Sequence, residues 1–414
     1  MTAVNEVDHS RQGSGTRALV LTVALSTAGS ATALISATGI TTAAGGLNRG
    51  ALFSGLFLAA SMAAGALALP FAPRAAHRFG TRQAVLGMWS IVAAAWIASG
   101  ALVIAGAPPM WVVMIAAPVV GAGSAIAGVL SNIVYRAYLE SADFSAVVAR
   151  MTVWRGIGWG LGALVGGFFL NSGSEGIGLV AAGLVKIPLL IVLARHAPTH
   201  ALATPERPKA PWHEIRGAFA ESPTLRRTAV MGVSMALFAA PVMTLVVPIA
   251  QSLRHAPLYQ GAGFLMIGFA IGELLSPQVV SKLPHGGRPL VNAARTGAIA
   301  GGFLIALGLV SGFFSFRTEL GLWAVVAIGI GAFRFASRAF SQGSAAASRG
   351  LENAASSLAA AAFIAGIAGP IGVLGWSLAL GSLGAEVTAA LAGVALAIVS
   401  IGVFLRTRGE DVRA

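Results

Sequence analysis

The chain has 414 residues, 56% of them hydrophobic and only 10% charged, with a formal net charge of +13. A soluble protein carries about 25% charged residues, so the composition excludes a soluble globular domain and points to an integral membrane protein. The basic excess does not signal nucleic acid, because the arginines sit in the gaps between apolar runs, and the absence of cysteine excludes disulfides, iron–sulfur clusters and thiol nucleophiles.

Residues 1–17 are polar, mixed in charge and read as a cytoplasmic tail. The apolar run that follows is too long for a signal peptide, so the first span is expected to be retained. Twelve apolar segments reach the ~20 residues that cross a bilayer as a helix, at about 18–40, 51–72, 84–106, 111–135, 152–171, 177–194, 228–250, 261–282, 290–313, 320–341, 355–379 and 385–405. The first carries Ser26, Thr27, Ser30, Thr32, Ser36 and Thr38. These hydroxyls either line a polar pathway, with Ser30 as a substrate-cavity candidate, or bond back to their own helix.

Between spans two and three, RAAHRFGTRQAVL (74–86) gathers basic residues around Gly80, whose position suits a tight turn. In span five, GWGLGALVGG (158–167) places Gly158, Gly162 and Gly166 on one helical face, with Gly167 following. Glycines so spaced let helices pack closely. Trp154 and Trp159 are placed to meet a hydrophobic substrate, and interface anchoring explains Trp154 equally well. Trp111 and Trp323 begin their spans and fit an aromatic belt.

The longest polar stretch, residues 195–227, separates a first set of six spans (18–194) from a second (228–405), with residues 406–414 as a C-terminal tail. Within it, WHEIRGAFAE sets Trp212, Ile215 and Phe219 opposite His213, Glu214, Arg216 and Glu221. That pattern makes either an amphipathic helix on the inner membrane surface or a solvated linker. YRAYLE (135–140) and SRAFSQ (337–342), each followed by a Gly-rich stretch, fall at corresponding positions of the two halves, as in transporters built from repeats. With both termini inside, only Arg49, Arg254 and Arg317 lie outside and Lys186 within a span, leaving 23 of 27 basic residues on the inner side.

Two sixes joined by a long inner loop resemble the major facilitator superfamily: an all-α membrane protein of twelve transmembrane helices in two pseudo-symmetric six-helix bundles. The 74–86 loop is similar to the family's signature loop at Arg78, Gly80 and Arg82, with Pro73 in place of its first glycine and His77 in place of its aspartate. The resemblance implies a cytoplasmic gate loop of His77, Arg78, Gly80 and Arg82 whose latch is weakened, rebuilt around His77 or absent. Span five resembles the glycine motif of the family's drug/proton antiporters, with Ala163 replacing its proline. The arginine of the family's fourth span is missing from AAPVVGAGSA (116–125).

Of 14 acidic residues, only Glu273 lies deep in a span, roughly twelve residues in and near the midplane at ~1.5 Å per residue. An ionised carboxylate there costs at least ~2.5–3.5 kcal/mol. It is either a proton-coupling or substrate site or a protonated acid bonded to a neighbouring helix. Arg334 is one turn from Arg338 on span ten, which the resemblance places beside the cavity, where Arg334 meets an anionic substrate or Glu273. Arg338 and Arg136 suit the interface, and Arg155 is a gate or an anchor. By the same resemblance span six is peripheral, so Lys186 is expected to snorkel along it.

No metal-type histidine–carboxylate pair, phosphate loop or nucleophile–base constellation is present in the sequence, so neither an enzyme nor a cofactor or metal is expected. The resemblance implies a proton-coupled secondary transporter, exporting small amphipathic or hydrophobic compounds by alternating access, with Glu273 as the proton site. Its expected partners are a small-molecule substrate, the proton and the lipid bilayer, in a monomer. The arginine-rich composition suits the cytoplasmic membrane of a bacterium. Uptake of a nutrient or siderophore by the same fold and a non-transporting sensor or lipid-handling protein are the alternatives.

Overall fold

Inside hydrocarbon a backbone must satisfy its own hydrogen bonds, which leaves helices and closed barrels as the spanning structures. A computed structural model describes residues 3–138, 144–196, 211–252, 258–283, 289–310, 316–348 and 354–411, and every regular element among them is helical. The membrane-crossing helices are α1 (Arg17–Gly46), α2 (Arg49–Phe71), α3 (Thr81–Ile104), α4 (Pro109–Tyr138), α5 (Phe144–Asn171), α6 (Glu175–Arg195), α7 (Pro223–Thr244), α8 (Leu258–Lys282), α9 (Pro289–Val310) and α10 (Phe316–Ala347).

The last apolar stretch, Ala360–Arg408, is 49 residues long. As one helix it would measure roughly 73 Å, more than twice the ~30 Å of a hydrocarbon core. It breaks at Gly384, where φ is 82° and ψ 169°. Gly46, at φ 59°, breaks the first two spans in the same way, because a residue without Cβ turns there without strain. The stretch thus makes α11 (354–383) and α12 (385–411), and the described residues hold twelve crossings at the predicted places.

Two spans are irregular inside. The helix of α6 stops at Leu184 and restarts at Ile187, with Val185 and Lys186 in a turn. In α7 a π-helical turn, Met235–Ala239, precedes Pro241. Proline has no N–H to donate and crowds the carbonyl four residues back, which is the usual origin of such a bend.

The chain forms two compact units: Met1–Ala37 with Leu67–Pro208, and Thr38–Ala66 with Lys209–Ala414. The first is centred on Leu19 and Val23 of α1, Val85 of α3, Leu130 of α4, Met151 of α5 and Leu189 and Leu193 of α6. In the second, the hairpin of residues 38–66 rests on α11, where a Cβ on Gly369 would stand 2.6 Å from Met62 Cε. The polar stretch forms a helix, Pro211–Glu221. Its Ala218 is buried with Leu225, Ala345 and Ala360, and Phe219 packs alongside. This helix therefore docks on the second unit instead of lying free as a linker. Trp212 and Ile215 have side chains outside the described set. Large apolar side chains such as Ile115, Phe168 and Ile398 are exposed, as surfaces bathed in lipid require.

Candidate functional site

In the second unit α8 and α10 approach backbone to backbone. A Cβ on Gly268 would lie 2.7 Å from Ala324 O, and one on Gly331 would lie 2.7 Å from Phe269 O. This close crossing carries Glu273 into the packed interior, where it is 6% exposed. Ser276 Oγ donates to the Glu273 carbonyl at 2.8 Å. Three residues past Gly331, Arg334 is half-buried and within electrostatic reach of both Glu273 and Arg338. Its guanidinium also lies 5.2 Å from the Phe335 ring centroid and touches Met243 Sδ, which α7 supplies just after its π-helical turn. Arg338 is exposed.

With Glu273 ionised these three side chains carry a net charge of +1, and with it protonated +2. Interactions among such charges are strong where water is excluded.

In the first unit, Gly158, Gly162 and Gly166 all face α1. Their added Cβ atoms would lie 2.9 Å from Thr27 Cβ, 2.7 Å from Ala31 Cβ and 3.0 Å from Ile35 Cβ. Gly167 faces open space and takes no part in this seam, while Ala163 is fully buried. Trp159 is half-buried on α5. The α1 hydroxyls bond back to their own helix or across to a neighbour: Ser30 Oγ donates to Ser26 O at 3.2 Å. Thr27 Oγ1 bonds back to Val23 O at 2.8 Å, whereas Thr32 Oγ1 crosses to Gly162 O at 3.1 Å.

Lys186 departs from expectation. It does not snorkel: it is 0% exposed. Gly29 of α1 abuts α6, its added Cβ falling 2.7 Å from Ala182 O. The ammonium therefore finds its acceptors on α1. Lys186 Nζ donates to Ser30 Oγ at 2.9 Å, to Ser26 O at 3.3 Å and to Ser26 Oγ at 3.5 Å, and lies 4.7 Å from the Trp89 ring centroid. The sequence signal was present in two serines four residues apart on a facing helix. Nothing in the sequence shows that this face of α1 meets α6.

His77 and Arg78, expected in a loop, are exposed in the last turn of a short helix, Ala72–Phe79, that precedes α3, with the Arg78 guanidinium 5.3 Å from the Phe79 ring. Gly80 turns at φ 80°. Arg82 donates to Ala194 O near the end of α6, a favourable place for a cation because the terminal carbonyls of a helix lack partners. Arg155 is half-buried, and the Arg136 side chain lies outside the described set. Trp111 is 61% exposed, as a belt residue would be, but Trp323 is 2% exposed. The belt reading of Trp323 is corrected: it faces neighbouring helices, because a span's first residues need not face lipid.

Residues 19–373 match the family profile described as Major Facilitator Superfamily. The fold is similar to a solved mutant of the nucleoside transporter NupG, with a TM-score of 0.71 and 14% identity over 94% of this chain and 99% of that one. It is similar to a bacterial homologue of the human lysosomal transporter Spinster, with a TM-score of 0.64 and 16% identity over 96% and 97%. It also resembles the human organic anion transporter MFSD10 (TETRAN), with a TM-score of 0.63 and 14% identity over 95% and 99%. At these identities the likeness is one of fold. No match is found among curated protein sequences.

Proposed function

Because the chain belongs to the major facilitator superfamily and is a multi-pass membrane transporter rather than an enzyme, we propose that it couples proton entry to the export of small amphipathic or hydrophobic compounds. The observation that carries this reading is the buried acid on α8 beside the arginine of α10. In the proposed cycle substrate binds while Glu273 is ionised. Protonation then raises the local charge from +1 to +2 and lowers the affinity for a cationic guest, which leaves on the other side. Alternating access of the six-helix bundles 18–194 and 228–405 carries the site between the faces. Moving one charge through 100 mV supplies ~2.3 kcal/mol, enough for roughly a 50-fold gradient of an uncharged compound.

The glycine seam of α5 against α1 supports the exporter reading by its resemblance to the antiporter motif, and it gives two sliding helices a smooth contact. The proposed setting is a bacterial cytoplasmic membrane, with both termini inside and the protein acting as a monomer. The test uses proteoliposomes with an imposed pH gradient and a panel of amphipathic fluorescent dyes. Export coupled to protons predicts dye movement against the proton flow. Movement of dye with the protons would favour uptake, and no movement with any dye would favour a sensor or lipid-handling role.

A further inference from the structure

The proposed cycle makes no use of Lys186, although it is fully buried and lies eleven residues from Glu175 and nine from Arg195, near the middle of α6. We propose that Lys186 is a second proton-binding site, built into the first unit by Ser26, Ser30 and Trp89 and separate from the cluster around Glu273.

From α1 the Lys186 amine meets Ser26 and Ser30. From α3 it meets the face of Trp89, whose own N–H is turned away to Ser131 of α4 at 3.1 Å. Of the charged residues described on the packed elements, Arg17 of α1, Arg82 of α3, and Glu175 and Arg195 of α6 stand toward the helix ends, and Arg155 lies half-buried near the middle of α5. Glu175, the acid described in this unit, lies roughly 16 Å along the helix from Lys186. The recorded partners of the amine are therefore neutral, which sets it apart from a lysine held permanently charged by a carboxylate.

Those neutral partners satisfy either protonation state. Ser30 Oγ donates to Ser26 O at 3.2 Å, so toward Lys186 it can only accept, and it takes one N–H in both states. Ser26 Oγ has no such commitment. A hydroxyl rotor accepts from an ammonium and, turned round, donates to the lone pair of a neutral amine. The carbonyl of Ser26 takes a further N–H, and the indole face favours the cation without demanding it. Ser26 Oγ thus gives the site a group that can serve either state.

Both states tie α6 to α1, with different strength. The protonated form directs all its donors at α1 and Trp89, whereas the neutral form has one donor fewer. Proton occupancy thus sets how firmly α1 is held to α6.

The experiment is carbon NMR of the whole detergent-purified protein labelled at the lysine Cε. The chain has three lysines, Lys186, Lys209 and Lys282, so Lys209→Arg and Lys282→Arg identify the Lys186 signal by elimination without altering its site. Titration from about pH 5 to 11 is expected to show a protonation step for Lys186 separate from that of the exposed Lys282. Ser26→Ala should move the Lys186 step by roughly threefold or more in proton affinity, about half a pH unit, and leave Lys282 unmoved. A Lys186 signal that stays ammonium throughout, steps together with Lys282, or ignores Ser26→Ala would overturn the proposal. None of these readings depends on transport, so failure here is distinct from failure of the proposed cycle.

Discussion

At the scale of single residues, Glu273 and Lys186 are the ionisable side chains buried among the described residues, and each charge costs ~2.5–3.5 kcal/mol to place in a bilayer. Glu273 meets that cost with opposite charge in reach on α10, Lys186 with neutral dipoles on α1. This difference yields a prediction. Replacing a buried charge and its partners together by apolar groups of similar volume is often neutral or stabilising, whereas removing one partner is not. Lys186→Met combined with Ser26→Ala and Ser30→Ala should therefore leave the thermal midpoint of the purified protein unchanged or raised. Ser30→Ala, which strands an N–H, should lower stability by about 1–3 kcal/mol, read in the same melt. Glu273 was legible in the sequence because it is the lone deep acid of an apolar chain. Lys186 was misread because depth along a helix does not reveal which neighbour the side chain faces. The contact between Gly29 and Ala182 decides that, and the two are 153 positions apart in the chain.

At the scale of elements, the seam between α1 and α5 makes the same point with the opposite outcome. The four-residue spacing of Gly158, Gly162 and Gly166 announced a packing face, and all three meet α1. Gly167 was grouped with them by motif and faces open space. Gly162→Leu should then push α5 off α1 and cost 1–3 kcal/mol or more, as overpacking does (roughly, by core mutants). Gly167→Leu should melt within about 0.5 kcal/mol of the parent, as substitutions away from packed sites do. Equal losses for the two would contradict the seam. The crossing of α8 and α10 is as tight at Gly272, where a Cβ would run into Ile328 O and stand 2.7 Å from Ala332 N. Gly272→Val is expected to displace the neighbouring Glu273 and abolish dye transport while the protein still reaches the membrane, as judged by its yield there. Neither α10 nor α7 advertised its part in this cluster by periodicity, because partners of different helices leave no common spacing.

At the scale of the whole molecule, the twelve crossings were readable from apolar length, and the break at Gly384 coincides with the gap expected between the last two. The membership of residues 38–66 in the second unit was not readable. It depends on α2 meeting α11 at pairs such as Met62 and Gly369, which no local pattern links. The asymmetry of basic residues predicts that reporters fused at either terminus act as cytoplasmic proteins. A terminal reporter active only outside would reverse the orientation on which the proposed cycle is drawn. The central claim is that Glu273 couples protons to transport, and it is tested most directly by proton flux in proteoliposomes, wild type against Glu273→Gln, with dye counterflow measured in parallel. The Glu273→Gln variant is expected to lose dye-dependent proton flux and uphill transport while keeping dye exchange, which needs no proton. Equal dye-dependent proton flux in the two proteins would contradict the claim.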